Sequence, residues 1–321
     1  MRCSIAVAHL ALLFLVGGAA SGQTYPARPV RLIVPFPAGG TTDTVARPTA
    51  TQLEAQLKQS IVIDNRAGGN GLVGATLTAQ AIADGYTMLW TTSSIVINQA
   101  LIPTFPLNIL KDLQPVSLAV TGSGYFVLVN PSLGVRSVKE LIATAKAKPL
   151  SFGSPGVGNG QHLVAEMFNQ SAGTNMLHVP YRGVPQQITA LLGNEVNVLF
   201  VPPTASLQFV KDGRLRAIAF AGQSRWPFMP DLPTVAESGL PDFKPKAGWH
   251  GCFLPPNTPA VVLQRMQAEI AKALHTPALK ELLLNLGYSA VGSTPAEFVA
   301  HIKSERDSYV EVARKANIVL K

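Results

Sequence analysis

The chain has 321 residues, 47% of them hydrophobic and 14% charged, with a formal charge of +8. That content supplies a core for an α/β protein. The Lys and Arg residues form no run interleaved with aromatics, which argues against nucleic acid and leaves a solubility surplus or a mild attraction for small anions.

The N-terminus reads as a signal peptide over residues 1–22. Arg2 supplies the positive region, 5–16 is nearly all apolar, and Ala20-Ser21-Gly22 fits a cleavage site before Gln23. The apolar run is short of the roughly 20 residues that a membrane span needs. Cys3 leaves with it, so Cys252 stands alone and no intramolecular disulfide is expected, although an exported chain could carry one. No cysteine follows the apolar run, so no lipid anchor is expected. The remaining residues, about 300, suggest two domains at about 150 each.

From residue 30 to 92 strands and helices alternate. The pattern predicts strands at 31–36, 61–65 and 87–92 and helices at 44–58 and 71–83, as in a parallel sheet with both faces covered. A proline-rich passage follows, then a strand at 125–129. A second alternating block predicts helices at 137–148, 159–171, 185–192 and 204–211, with strands at 150–154, 176–180, 196–201 and 215–220. Ser137 and Glu140 form a capping-box pattern at the first of these helices. Residues 226–259 show little periodicity, and three helices close the chain at 258–274, 277–286 and 295–315, each with Pro in its first turn. The expected fold is α/β, with two lobes that are each a mostly parallel sheet flanked by helices. Residues 23–121 plus 224–321 form the first lobe, and 122–223 form the second, inserted into it.

Two strand–glycine–helix junctions carry the chemistry. The first is Phe36-Pro37-Ala38-Gly39-Gly40-Thr41-Thr42-Asp43; the second runs from Ser154 through Gly156, Gly158, Asn159 and Gly160 to His162. Glycines leave backbone N–H groups uncovered. The first N–H groups of a helix lack internal partners and sit at the positive end of its dipole, so each junction suits an anion. Either loop alone also reads as an ordinary capped turn. Together, at the carboxyl ends of strands in two lobes, they describe one shared cleft. Asp43 reads as an N-cap, His162 as a first-turn residue, and Trp226 and Trp249 lie in irregular chain where cleft walls form.

Gly69-Asn70-Gly71-Leu72-Val73-Gly74 matches a dinucleotide fingerprint, but it follows the second strand, and Thr91-Thr92-Ser93 stand where the acidic residue is expected. It reads as a tight turn. There is no HExxH, CxxC or GxSxG, and the histidines lack metal-ligand spacing. No cofactor, no metal and no catalytic residue is therefore expected. An exported α/β enzyme using His162 or Asp43 is the rival reading.

The motifs Pro35-Phe36-Pro37-Ala38-Gly39-Gly40-Thr41-Thr42-Asp43, Asp64-Asn65-Arg66-Ala67-Gly68-Gly69, Asp84-Gly85-Tyr86-Thr87, Gly153-Ser154-Pro155-Gly156-Val157-Gly158, His178-Val179-Pro180-Tyr181-Arg182-Gly183 and Leu232-Pro233-Thr234-Val235-Ala236-Glu237-Ser238-Gly239 occur in this order. Together they resemble the TctC/Bug-type periplasmic receptors of tripartite tricarboxylate transporters over essentially the whole mature chain. The resemblance implies a monomeric two-lobed periplasmic binding protein that closes on a small organic carboxylate and delivers it to membrane permease subunits. A role as a ligand-sensing receptor for a signalling partner is the alternative within that reading. The resemblance places the two loops at the ligand, with Thr92, Ser93, Tyr181 and Trp249 as further wall candidates. The family often has Asp after the strand at 196–200. Here Val201-Pro202-Pro203 follow, which makes Val201 a candidate for a wall without negative charge.

Overall fold

The computed structural model describes residues 25–315, so the signal-peptide expectation for 1–22 lies outside the described residues. The first part of the chain runs β1 (Val30–Val34), α1 (Thr41–Leu57), β2 (Ile61–Asn65), α2 (Leu72–Ala79), β3 (Thr87–Thr92), α3 (Ser94–Leu101), α4 (Ile109–Asp112) and β4 (Gln114–Gly122). The middle runs β5 (Gly124–Val129), α5 (Val138–Ala147), β6 (Ser151–Ser154), α6 (Gly160–Ala172), β7 (Leu177–Pro180), α7 (Val184–Leu192), β8 (Val198–Val201), α8 (Pro203–Lys211) and β9 (Arg216–Gly222). The last part runs β10 (Trp249–Leu254), α9 (Ala260–Leu274), α10 (Pro277–Asn285), β11 (Tyr288–Ala290) and α11 (Pro295–Lys315).

Two sheets result, in the orders β11-β4-β10-β3-β1-β2 and β7-β6-β8-β5-β9. β1, β2 and β3 pair in parallel, as do β6, β7 and β8. β10 then lies antiparallel between β3 and β4, β11 is antiparallel to β4, and β5 is antiparallel between β8 and β9. Both sheets are therefore mixed rather than mostly parallel: two of the five pairings in the six-stranded sheet and two of the four in the five-stranded sheet are parallel. The six-stranded sheet takes its strands from before Ser123 and after Lys246; the five-stranded sheet takes its strands from Gly124–Gly222.

Alternation along the strands divides the core. Val30, Leu32 and Val34 of β1 pack with Val45 and Leu53 of α1 and with Met266 and Ile270 of α9, while Ile33 faces the other side, with Ile97 of α3 and Phe298 of α11. In β5, Val127 and Val129 join Phe168 of α6, and Phe126 and Leu128 join Ile188 and Leu191 of α7. Each such fully buried side chain contributes about 1.5–3 kcal/mol. Both faces of each sheet are thus filled by helices, and the helix starts are left at the carboxyl ends of the strands.

The turn at Gly68–Gly71 has four successive positive φ angles (147°, 54°, 48° and 99°), which explains its glycines. Gly74 permits close packing of α2 on β1, since a Cβ there would stand 2.7 Å from the Pro35 side chain. At α5, Glu140 N–H donates to Ser137 Oγ, and the Glu140 carboxylate accepts from Arg136 N–H, one residue before the cap.

Candidate functional site

Between the two sheets lies a cavity lined by residues of both. Five helices begin at its wall. Thr41 and Thr42 open α1, Ser93 and Ser94 open α3, Gly160 and Gln161 open α6, Val184 opens α7, and Pro202 precedes α8. Among the described residues, none that lines it carries Asp, Glu, Lys or Arg. Each helix start carries roughly half a positive charge and N–H groups without helical acceptors.

The first loop shows how its positive end stays open. Gly39 takes the left-handed turn at φ 72°, whereas Gly40, the residue before α1, is extended at φ −76°. No side chain caps α1. The Asp43 carboxylate, which sequence alone offers as the cap, turns back and accepts from Gly39 N–H at 2.9 Å, from Arg47 at 2.7 and 2.9 Å and from Asn65 at 3.0 Å. Burial raises its pKa, but those hydrogen bonds outweigh it and hold the carboxyl below its usual value. Its acceptor positions are filled, so it is no general base. Thr41 Oγ1 is buried at the cavity wall without a protein partner.

The second loop is braced from behind. His162 Nδ1 accepts from Gly158 N–H at 3.2 Å, and its ring stacks on His178 at 3.7 Å. His178 Nε2 lies 2.6 Å from Ser154 Oγ, which donates to Gly156 O at 3.0 Å. Burial, then the neighbouring His162, pushes the His178 pKa down to about 4. At the front, Asn159 Oδ1 caps α6 through Gln161 N–H (3.0 Å), and Asn159 Nδ2 donates across the cleft to Ser94 Oγ at 3.0 Å. Asn70 donates to Val157 O at 3.0 Å. The turn that resembles a dinucleotide fingerprint thus pins the second loop instead.

The back wall is aromatic. Trp249 presents its ring, because its indole N–H donates to the buried Glu305 at 2.6 Å. His250 Nδ1 accepts from Trp90 at 3.2 Å, which puts the proton of the neutral ring on Nε2; burial lowers its pKa to about 3. Tyr125 and Tyr288 complete the wall.

Of the residues singled out from sequence, Phe36, Pro37, Gly40, Thr41, Thr42, Thr92, Ser93, Asn159, Gly160 and Trp249 line this cavity. Ala38 and Gly39 are exposed at the loop tip, and Asp43, Ser154, Gly158 and His162 support the loops from behind. Gly156 and Tyr181 line a neighbouring groove. Val201 is wholly buried in β8 with Phe126 and Leu128, and Pro202 takes the wall position instead. Strand alternation explains this: adjacent residues face opposite ways. Sequence reading missed Ser94, Tyr125, Gln161, His250 and Tyr288. The polar run Thr92-Ser93-Ser94 before an apolar segment was the available signal for α3. Among the described residues, no three of His, Cys, Asp and Glu are grouped to hold a metal.

The family model described as the tripartite tricarboxylate transporter family receptor matches residues 45–317. The chain is 36% identical to the protein BugT of Bordetella pertussis, over 94% of this chain and 93% of that one. The solved structure of the periplasmic binding protein BugD shares 29% identity with a TM-score of 0.88, covering 92% of this chain and 100% of that one. That of Rpa4515 of R. palustris with adipate shares 32% identity with a TM-score of 0.88, covering 92% and 99%.

Proposed function

The chain belongs to the tripartite tricarboxylate transporter receptor family, whose members are solute-binding receptors and not enzymes, and we propose that its cargo is a small organic carboxylate held between the two sheets. One observation carries this reading: five helix starts converge on a cavity lined by no Asp, Glu, Lys or Arg among the described residues. An anion is the ligand that such a lining stabilises, through N–H groups and dipoles. The unpartnered Thr41 Oγ1 is one further group for an oxygen-bearing ligand. Several separate helix starts suit a ligand with an acid group at each end, and adipate, seen with the relative Rpa4515, is the first candidate. Phe36, Tyr125, Trp249 and Tyr288 pack its carbon chain.

In this reading residues 23–121 plus 224–321 and residues 122–223 are two lobes that hinge near Ser123 and Gly222, and the loops meet when the lobes close. The receptor works as a monomer in the periplasm after loss of residues 1–22 and hands its cargo to the permease subunits of a tripartite transporter. The test is calorimetry and thermal shift with adipate, succinate, malate, citrate and benzoate. A true cargo at 100 times its Kd raises stability by about 2.7 kcal/mol and is recovered chemically unchanged. No response to any carboxylate, or conversion of one, overturns the proposal.

A further inference from the structure

A second cavity lies on the other side of the Ser93–Tyr125–Gly160 wall. Its floor is apolar, made of Ile97 on α3 and Leu163, Val164 and Met167 on α6. Its mouth carries Lys244 and Lys246. Both are exposed, flank the buried Pro245 and line the same cavity. Their segment is tied down by Gln223, which donates to Pro245 O at 3.0 Å. Among the described residues neither lysine is ion-paired with a carboxylate. Glu305, the acid behind Tyr309, is buried and accepts from the Trp249 indole and the Tyr309 hydroxyl (2.6 and 2.8 Å), so it is held away from the mouth.

We infer that this cavity is a second binding site, for an amphipathic monocarboxylate: an apolar body on Ile97, Leu163 and Met167 and one anionic head between Lys244 and Lys246. Two exposed cations without a carboxylate partner, both lining the cavity, favour one negative group. An apolar floor disfavours a second charge at the far end, which a buried unpartnered carboxylate would make costly. This separates the site chemically from the first cavity, where helix starts are spread around the wall. The occupant touches α3 of the six-stranded sheet and α6 of the five-stranded one, and it shares Gly160 and Ser93 with the first cavity. It therefore bridges the same two halves of the molecule that the cargo bridges, and its binding is coupled to cargo affinity, reciprocally.

The test uses the full chain with 13C-labelled methionine methyl groups and hexanoate as the probe. The Met167 resonance, assigned through Met167→Leu, should shift saturably with hexanoate and should not respond to hexylammonium. Lys244→Glu with Lys246→Glu should weaken the response at least tenfold. The shift should persist in Gly40→Val, whose substitution lies at the first cavity only, so failure of the cargo proposal leaves this test intact. An unmoved Met167 resonance at millimolar hexanoate overturns the inference. So does a shift that the lysine reversals leave unchanged, which would mark the lysines as solvated cover over core. A shift lost in Gly40→Val also overturns it, as an echo of the first cavity.

Discussion

Pro37 and Gly183 are in contact across the cleft: a Cβ on Gly183 would stand 2.8 Å from both Cγ and Cδ of Pro37. Pro37 belongs to the loop before α1, and Gly183 is the residue before α7. Gly183 has an extended φ of 173°, so alanine meets no backbone strain there. Gly183→Ala should therefore leave folding intact and obstruct only the meeting of the two loops. Overpacking of this kind costs about 1–3 kcal/mol, which corresponds to roughly a fivefold to 150-fold loss of cargo affinity. Calorimetry measures the loss. Small-angle scattering should show the wild type more compact with cargo and the variant less so. Unaltered affinity in the variant would mean that the loops need not meet.

Thr41 Oγ1 is buried and lacks a protein partner. Such a group destabilises the free protein by about 1–3 kcal/mol, and a hydrogen bond to a charged ligand contributes about 1.5–3 kcal/mol. Thr41→Val keeps the shape and removes the hydroxyl. The two effects then have opposite signs: the unliganded variant should melt at the same temperature or higher, while its carboxylate affinity falls tenfold or more. Paired thermal melts and titrations check this, and an unchanged affinity sinks the role given to Thr41.

The glycine loops were readable in the sequence because their chemistry is local. Gly39 needs its left-handed φ, and Thr41 and Thr42 mark a helix start. β4, β10 and α3 were not predicted as elements, for reasons that lie elsewhere in the chain. Trp249–Leu254 is buried on both faces, so it lacks alternation, and it pairs with strands more than a hundred residues earlier. Its Gly251 is set by Phe298 of α11, since a Cβ would stand 2.3 Å from that ring. His250 and Tyr288 reach the cavity only through those long-range pairings. Val201 and Pro202 show the limit from the other side: the right segment was identified, but the face turned to the cavity depends on strand register.

His250 makes the stability pH-dependent. Burial depresses its pKa from 6.5 to about 3, so the folded ring resists protonation while the unfolded one accepts a proton below 6.5. The unfolded state then binds more protons, and stability falls as pH drops. The loss is about 1.4 kcal/mol per unit from 6.5 down toward 3. Between pH 6.5 and 5 the contribution is about 2 kcal/mol. Urea unfolding of wild type and His250→Gln at both values should show the variant less pH-sensitive by roughly that amount. Equal pH dependence in the two proteins would assign the acid sensitivity to other groups.

The ligand class follows from what the wall lacks. No carboxylate lines the cavity among the described residues: Asp43 is turned to Arg47, and Glu305 stands behind Trp249. An amino acid would bring an ammonium group into this lining. Unpaired, it would face several helix starts of its own sign and lose its water, a penalty of several kcal/mol. Aspartate and glutamate should therefore bind at least a hundredfold more weakly than succinate, which differs from aspartate only by the amino group. Pro202 offers the converse test. It lines the cavity and stands at the N-cap of α8, a position where Asp is favoured. Pro202→Asp should cap that helix and place a carboxylate in the wall. Its charge should weaken succinate and improve aspartate, narrowing or reversing the gap between them. Val201→Asp should instead destabilise the fold, because Val201 is fully buried in β8. Competition titrations of succinate against aspartate on both proteins decide the matter. Tight aspartate binding by the wild type would sink the argument from the missing carboxylate, and an unchanged ratio in Pro202→Asp would remove Pro202 from the wall.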